Sequence, residues 1–316
     1  MPATGKPAVV CLLGPTAAGK TGLAVELTRR FRFDIVSVDS AMVYRGMDIG
    51  TAKPARVVLA EAPHRLIDIR EPWQSYSAGE FCADARRCID EIHRSGRVPL
   101  LVGGTFLYFR ALQRGLAPLP AADPELRAEL EARAAHRGWP AMHAELARSD
   151  PATAARIHVN DRQRIQRALE VLLITGETMS VLNQQTVPDS GLCFLRLVLL
   201  PSDRQLLYQR IERRLAQMLE AGFLEEVSAL RSLPEMNPAR AAMRSVGYRQ
   251  LWQYLEGALT RQEALRQALV ATRRYAKRQL TWLRNDRAEA AFDSLAADVA
   301  DELSRVIIAR AVSDAL

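Results

Sequence analysis

Short apolar runs alternate with longer amphipathic stretches through the first part of the chain. Residues 8–13, 35–38 and 98–102 are almost wholly apolar, and none of these runs contains a charge. Apolar runs of this length are typical of strands that are buried on both faces of a parallel sheet, and the more polar stretches between them are typical of helices. The alternation therefore predicts an α/β fold in which helices cover a parallel sheet.

Helix caps and breakers refine this assignment. Ser77 is followed three residues later by Glu80, the spacing of a capping box, which predicts a helix over 77–95. A strand is predicted at 65–69, after a segment whose glycines and Pro54 favour a loop with some helix.

Strand-like runs are lacking between residues 123 and 183, where alanine, arginine and glutamate dominate. Helix starts are predicted there at the pairs 123–124, 150–151 and 160–161. Strand character returns at 193–200, and further helices are predicted at 106–113, 203–221, 222–231, 247–255, 260–284 and 295–310. We therefore expect an all-helical insertion domain at 121–189, which divides an α/β core made of residues 1–120 and 190–316.

The first apolar run leads into Gly14-Pro15-Thr16-Ala17-Ala18-Gly19-Lys20-Thr21, which fits G-x-x-x-x-G-K-[ST] at each fixed position. A helix-compatible segment follows, so the strand–loop–helix context of a phosphate-binding loop is complete. Backbone N–H groups, the helix N-terminus and Lys20 would bind phosphate oxygens, and the Thr21 hydroxyl could ligate Mg²⁺. The motif predicts a sheet like that of P-loop NTPases and a bound polyphosphate, without identifying which one.

Polar residues follow two other predicted strands. Asp39 follows the run at 35–38, and Thr105 follows the run at 98–102 after two glycines. Ligands of parallel sheets bind at the carboxyl ends of strands, so both side chains are expected near the phosphate loop. Asp39 could act in catalysis, cap a turn or accept from Mg²⁺-bound water, and Thr105 could be a site residue or a helix cap.

No acid follows residues 98–102, where a P-loop kinase or NTPase usually holds Mg²⁺. This weakens an ATPase assignment and favours a transferase in which the polyphosphate is a leaving group.

Composition adds an expectation about partners. The 316 residues carry a formal net charge of +7. The cations form two clusters: Arg156, Arg162, Arg164 and Arg167, and then Arg261, Arg266, Arg273, Arg274, Lys277, Arg278, Arg284 and Arg287. Tyr275 and Trp282 lie within the second cluster, and this mixture favours contact with a nucleic-acid backbone over a solvated helix face.

Cysteine spacing and hydropathy indicate the compartment. The four cysteines show neither a C-x-x-C pair nor metal-ligand spacing, and no apolar run has membrane-spanning length. We therefore expect a cytoplasmic protein with reduced thiols and no membrane contact, and nothing in the sequence requires more than a monomer.

Several motifs closely resemble those of the tRNA dimethylallyltransferase (tRNA isopentenyltransferase) family, of the bacterial type. The most specific is Asp48-Ile49-Gly50-Thr51-Ala52-Lys53-Pro54. The others are the phosphate loop, in which Ala18 stands where Ser is common, and residues 37–40, 44–47, 63–65, 101–105, 161–164, 245–250 and 276–282. The resemblance covers nearly the whole chain.

The resemblance implies transfer of a dimethylallyl group from dimethylallyl pyrophosphate to N6 of adenosine 37, in tRNAs that read codons starting with U. It implies that residues 14–21 bind the pyrophosphate, with Mg²⁺ on Thr21. Asp39 is the expected proton acceptor, Thr105 a second catalytic residue, and Arg214, chosen over its neighbours Arg210 and Arg213, the cation beside the leaving group.

The resemblance also implies contacts with tRNA from several segments. These comprise Asp39, Ser40, Ala41, Met42 and Thr105 in the core, Arg127, Gln163, Arg164, Ile165, Gln166 and Arg167 in the insertion, and Arg244, Gly247, Tyr248, Arg249, Lys277, Arg278, Trp282 and Arg284 in the C-terminal part.

Three other functions remain open at this stage. An adenylate isopentenyltransferase would share the chemistry, but a free nucleotide requires neither the helical insertion nor the basic helix. A small-molecule P-loop kinase would share the loop. A non-enzymatic tRNA-binding module would not require an intact Gly19-Lys20-Thr21 sequence.

Overall fold

The computed structural model describes residues 7–185, 191–285 and 290–310. The chain divides into two compact units, one made of Met1–Arg110 and Ser190–Leu316 and the other of Ala111–Asp189. Among the described residues, no helix combines the length and the apolar character that crossing a bilayer requires.

The larger unit is built on a parallel sheet, as the sequence pattern predicts. Its described strands are β1 (Ala8–Leu13), β2 (Phe33–Val38), β3 (His64–Arg65), β4 (Val98–Gly103), β5 (Cys193–Leu200) and β6 (Ala290–Asp293). They are ordered β3-β2-β4-β1-β5-β6, and each neighbouring pair is parallel. The predicted α/β fold class is therefore confirmed.

Helices connect these strands and form the whole regular structure of the described part of the smaller unit. In chain order they are α1 (Lys20–Arg30), α2 (Arg56–Glu61), α3 (Ala78–Arg94), α4 (Phe106–Arg114), α5 (Pro124–Arg137), α6 (Trp139–Ser149), α7 (Pro151–Ala154), α8 (Arg162–Thr175), α9 (Met179–Gln184), α10 (Arg204–Glu220), α11 (Phe223–Arg231), α12 (Tyr248–Leu255), α13 (Arg261–Asn285) and α14 (Val299–Ala309). The predicted capping box at Ser77 and Glu80 is present at the start of α3.

The sheet is covered on both faces, which explains its unbroken apolar strands. Val10 and Leu12 of β1 pack in one cluster with Leu27 of α1 and Leu303 of α14. Val9 on the opposite face of the same strand is also fully buried. Burial on both faces is the environment in which strands lose the alternation of polar and apolar side chains.

The strand register places three carboxyl ends side by side. Gly103 at the end of β4 pairs with Leu13 of β1 on one side and with Val38 of β2 on the other. A Cβ on Gly103 would lie 2.0 Å from the Val38 carbonyl oxygen, so only glycine allows this close approach. The residues that follow these strands therefore meet at one edge of the sheet.

Two predicted elements differ from the structure, and one observed strand was not predicted. The strand expected at 65–69 is only the two-residue β3, because Leu66 and Asp68 adopt left-handed backbone angles, with φ of 63° and 55°, that end the extended chain. β6 was not predicted, since its four residues include only one large apolar side chain, Phe292. The last helix begins at Val299 rather than 295. Arg287, a member of the second basic cluster, lies outside the described residues.

The smaller unit has its own core. Leu130, Met142, Leu146 and Ile165 are buried together with their neighbours on α5, α6 and α8. The helices begin at the predicted caps, where the side chains of Asp123, Asp150 and Asp161 accept hydrogen bonds from the first turns of α5, α7 and α8. Local capping and an internal apolar cluster thus account for this helical unit.

Candidate active site

The phosphate loop has the backbone of an anion-binding turn. It joins β1 to α1, and two of its residues, Ala17 and Gly19, have positive φ of 63° and 82°. The Lys20 ammonium donates hydrogen bonds to the carbonyl oxygens of Gly14 and Pro15, at 3.0 and 2.8 Å. Burial lowers the pKa of Lys20 to about 8, and the nearby Asp39 carboxylate opposes this shift.

Arg214 of α10 reaches the same loop. Its Nη1 donates to the Thr16 hydroxyl at 3.4 Å, and its Nη2 donates to the Thr51 carbonyl at 3.3 Å. Burial lowers the pKa of Arg214, and the charge of Asp39 raises it. By contrast, Arg210 bonds to the Ser294 carbonyl and Arg213 is exposed. Of the three arginines that the sequence left open, Arg214 is the one at the phosphate loop.

Asp39 follows β2 and is both a turn cap and a charged neighbour of these cations. Its Oδ1 accepts from the backbone N–H groups of Ala41 and Met42, at 2.8 and 3.2 Å. These bonds to the turn use only Oδ1, and they fix the plane of the carboxylate. The charge of Asp39 raises the pKa values of Lys20 and Arg214 against the effect of burial, so the carboxylate interacts electrostatically with both cations.

Thr105 is hydrogen-bonded to the loop that carries Asp39. The Thr105 hydroxyl accepts from the Ser40 backbone N–H at 3.1 Å and donates to the Ser40 hydroxyl at 3.4 Å. The Thr105 carbonyl accepts the first backbone bonds of α4, so the residue is a helix start as well as a site neighbour. Tyr275 of α13 approaches the preceding Gly104 carbonyl at 3.5 Å, and burial together with Asp39 raises the pKa of this tyrosine.

Gln279 of α13 was not predicted from the sequence. It is 3% exposed, and its side-chain amide bonds to Thr16 and Gly104. The available signal was its place within a strongly basic helix, one turn after Tyr275 and therefore on the same helical face.

Glu226 of α11 was also missed. It accepts from the backbone N–H groups of Asp48, Ile49 and Gly50, at 2.8, 2.7 and 3.1 Å. Thr51, whose carbonyl binds Arg214, follows directly. The motif at 48–54 was recognised as specific, but its partner on a distant helix has no local sequence signal.

Some of the residues predicted to contact tRNA in the larger unit are exposed, and others are buried. Arg244, Arg249, Lys277, Arg278 and Arg284 are exposed, and Trp282 stacks on Phe106 with ring centroids 4.4 Å apart.

The side chain of Tyr248 is fully buried, and Gly247 is buried with its N–H bonded to the Gln250 side chain. Direct contact of these two residues with tRNA is therefore not supported, because the Tyr248 hydroxyl and the Gly247 N–H already bond to Glu226 and Gln250 within the protein. Arg273, a member of the second basic cluster, already has partners within the protein, since it bonds to Glu212 at 3.1 Å and lies over the Tyr208 ring.

The predicted tRNA contacts of the smaller unit divide in the same way. Gln163 and Arg164 are exposed, whereas Ile165 is fully buried. Arg127 and Arg167 both bind the carboxylate of Glu170, which is itself fully buried. Ion pairing with Glu170 gives these two arginines a structural role, since a buried carboxylate requires a partner. The Gln166 side chain donates to the Arg127 carbonyl at 3.0 Å.

The donor set at the loop suits a cation that takes most of its ligands from a substrate. The described residues contain no group of three or more His, Cys, Asp or Glu arranged to hold a metal ion. Thr21 lies in the first turn of α1 and offers one hydroxyl beside Lys20. Mg²⁺ binds in this way in many phosphate sites, through few protein ligands, phosphate oxygens and water, so the residues fit it.

The arrangement is suited to displacement of a diphosphate. Lys20, Arg214 and the loop amides can stabilise negative charge on a leaving group, and Asp39 can accept a proton nearby. The same groups provide no acid after β4 for a kinase-type metal site, since that strand leads into Gly103 and Gly104.

Comparison with known proteins agrees with this chemistry. The family model described as IPP transferase matches residues 42–286. A tRNA dimethylallyltransferase of Alkalilimnicola ehrlichii is 56% identical over 283 residues, covering 90% of this chain and 89% of that protein.

Two solved structures are similar over most of the chain. The tRNA isopentenylpyrophosphate transferase of Bacillus halodurans has a TM-score of 0.69 and 38% identity, covering 96% of this chain and 97% of its own. A eukaryotic dimethylallyltransferase solved acting on tRNA has a TM-score of 0.79 and 25% identity, covering 96% and 79%. The chain therefore belongs to the IPP transferase family of tRNA dimethylallyltransferases and is a prenyltransferase.

Proposed function

We propose that this enzyme transfers a dimethylallyl group from dimethylallyl pyrophosphate to N6 of adenosine 37, in tRNAs that read codons starting with U, and releases pyrophosphate. The observation that carries the proposal is the cluster of Lys20, Arg214 and Asp39 at adjoining strand ends. Two cations beside one carboxylate suit a reaction in which an anion leaves and a proton is lost.

The donor binds through its diphosphate in the loop at 14–21. Pro15 has no N–H, the Thr16 N–H is bonded to Gln279, and the Ala18 N–H is bonded to the Pro15 carbonyl at 3.3 Å. The amides of Ala17 and residues 19–21 are therefore proposed to bind phosphate oxygens, together with Lys20. Arg214 stabilises the charge that develops as the C–O bond breaks. A divalent cation, Mg²⁺ in this proposal, would be held by the Thr21 hydroxyl and would neutralise further charge on the diphosphate.

The acceptor amine needs a base. The lone pair of an exocyclic adenine amine is delocalised into the ring, so proton removal must accompany bond formation. Asp39 is the proposed acceptor of this proton, with Thr105 holding the segment that carries it. The adenine must leave its stack for its N6 to reach the Asp39 carboxylate, as in other base-modifying enzymes.

The tRNA is proposed to contact the exposed cations in each unit. In the larger unit these are Arg244, Arg249, Lys277, Arg278 and Arg284, with Trp282 available for stacking, and Ser40, Ala41 and Met42 lie beside Asp39. In the smaller unit the proposed contacts are the exposed cation Arg164 and the neutral, exposed Gln163. Because tRNA is the substrate, we further propose that the enzyme acts in the cytoplasm, and as a monomer.

One incubation series tests the proposal. The enzyme is given isotope-labelled dimethylallyl pyrophosphate with a tRNA carrying A36-A37-A38, with the same tRNA carrying G37, with AMP and with ADP. Label is expected only in the first. Label in AMP or ADP would instead identify an adenylate isopentenyltransferase. In a separate incubation with ATP and no tRNA, ATP turnover would identify a kinase. Equal label in the G37 tRNA would overturn the assignment of the acceptor position.

A further inference from the structure

A single buried side chain joins the two halves of the candidate active site. Gln279 Oε1 accepts from the backbone N–H of Thr16, and Gln279 Nε2 donates to the carbonyl of Gly104, each at 2.9 Å. Thr16 belongs to the loop proposed to bind the donor, and Gly104 precedes Thr105 on the acceptor side. Because one planar amide makes both bonds, the two loops cannot separate without breaking one of them.

The contacts continue on each side of this amide. The Thr16 hydroxyl lies 3.4 Å from Arg214 Nη1, so Thr16 is held through its main chain and its side chain. On the other side, Thr105 binds the backbone N–H of Ser40, the residue next to Asp39. A continuous set of hydrogen bonds thus connects the cation at the leaving group with the segment that carries the proposed base.

The absence of a side chain at Gly104 leaves room for this amide. A Cβ on Gly104 would lie 2.5 Å from Gln279 Nε2, so any side chain there would force this hydrogen-bonded amide to move. Glycine at 104 therefore serves the approach of the glutamine from α13, because the backbone at this position has no positive φ that would itself require glycine.

We propose that Gln279 is a positioning residue for group transfer, setting the distance between the donor loop and the acceptor side of the site. The proposal rests on the function proposed above. Gln279 does not bind either substrate; it aligns the departing diphosphate with the attacking amine. Misplacement of reacting groups by about 1 Å can cost about a hundredfold in rate, so the loss should appear in kcat rather than in binding.

The first test compares two identical substitutions on α13. Gln279→Met keeps the length of the side chain and removes both hydrogen bonds, whereas Gln267→Met removes a partly buried bond to Glu263 on the same helix. We expect Gln279→Met to lower kcat about 10- to 100-fold while KM for the donor and for tRNA changes less than about threefold. Gln267→Met should match the wild type. Circular dichroism and thermal melts establish that each variant is folded at the assay temperature.

A second variant perturbs the same contact from the opposite side. Gly104→Ala leaves Gln279 intact but places a methyl group 2.5 Å from its Nε2 and 3.2 Å from the Gly14 carbonyl oxygen, so it presses on this amide and on the phosphate loop that the amide holds. If both substitutions act through this contact, the double variant should lower kcat no further than the worse single variant. Multiplicative losses in the double variant, or a loss that appears only in KM, would overturn the positioning role.

The outcomes separate this inference from the proposed function. A wild-type enzyme that fails to label tRNA contradicts the function itself. A wild-type enzyme that labels tRNA, together with a Gln279→Met variant whose kcat is within about threefold of it, contradicts only the role of Gln279.

Discussion

Glu226 accepts a hydrogen bond from the Tyr248 hydroxyl at 2.6 Å, and the same carboxylate binds three successive backbone amides at 48–50. A carboxylate is the one side chain that accepts in all four directions. Gly50 can lie at this position only because it lacks a side chain, since a Cβ there would lie 2.0 Å from the Phe223 ring. The motif at 48–54 is thus anchored to α11 and α12, and its Thr51 carbonyl is placed to bind Arg214.

Glu226→Gln should weaken this anchor. The glutamine amide accepts through one oxygen only, and its NH₂ group would face one or more of the backbone N–H groups at 48–50. Hydrogen bonds to a charged acceptor contribute about 1.5–3 kcal/mol each, so we expect a fall of about 3 kcal/mol in the free energy of unfolding. Urea denaturation measures it.

Tyr248→Phe is the matched control for that measurement. It removes one of the four bonds and leaves the carboxylate in place, so a fall of about 1.5 kcal/mol, the lower end of that range, is expected. Equal effects of the two substitutions would mean that the backbone amides at 48–50 do not depend on Glu226.

Asp39→Asn separates the two roles of Asp39. Asparagine keeps an oxygen that can accept from Ala41 and Met42, so the turn after β2 should persist. The amide cannot take a proton, and loss of a general base typically costs about 10²- to 10⁴-fold in rate. We expect a fall of this size in kcat with unchanged tRNA affinity, measured by single-turnover assay and filter binding. Asp90→Asn, at an exposed position on α3, should have no effect; an Asp39→Asn variant of normal rate would show that Asp39 serves only as a cap.

Some features of the fold and the site could be predicted from the sequence, and others could not. The phosphate loop, the caps at Ser77 and Asp123 and the strand β1 follow from local patterns, because each depends on neighbours in the chain. Glu226 and Gln279 could not be found in this way. Their partners lie 178 and 263 residues away, and a local pattern does not encode such contacts.

The same limit explains where the structure departs from the expectations. The family resemblance places Tyr248 among the tRNA contacts, whereas in the structure its side chain turns inward to Glu226. The strand predicted at 65–69 stops after Arg65, where Leu66 and then Asp68 adopt left-handed backbone angles, and the Asp68 carboxylate meets the ammonium of Lys53 at 2.6 Å. In both cases the residue contacts a charged group from another part of the chain, the Glu226 carboxylate or the Lys53 ammonium, and a local pattern does not encode such a contact.

Arg214→Ala should remove stabilisation of the leaving group. Because Arg214 contacts Thr16 in the phosphate loop, its loss should lower kcat/KM for the donor, by about 10²- to 10³-fold if it acts as other preorganised donors do. Arg213→Ala is the control, since Arg213 is the exposed neighbour on the same helix. Steady-state kinetics with varied donor concentration measure both. Similar losses in the two variants would contradict the assignment of Arg214.

The pKa of Lys20 predicts how donor binding depends on pH. Burial lowers this pKa to about 8 in the folded protein, well below its value in the unfolded chain. The charged form binds diphosphate, so KM for the donor should be constant below pH 8 and rise about tenfold per pH unit above it. Folding stability has the opposite trend: between pH 8 and about 10.4 the unfolded state binds more protons, so stability increases with pH over this window. Lys20→Arg keeps its charge throughout, and a KM that rises equally in this variant would exclude Lys20 as the titrating group.

Salt dependence of tRNA binding tests the basic face of α13. Each phosphate contact that releases a counterion contributes about 0.7–0.9 to the slope of log K against log salt concentration. Lys277→Ala and Arg284→Ala should therefore each reduce the slope by about this amount and weaken binding to all tRNA sequences alike. Arg266→Ala on the same helix is the control, because Arg266 is already paired with Glu263 at 2.7 Å. Fluorescence titrations of labelled tRNA from about 50 to 200 mM salt cover the range in which such contacts are measurable. Equal slopes in all variants would show that this face of α13 does not contact the tRNA backbone.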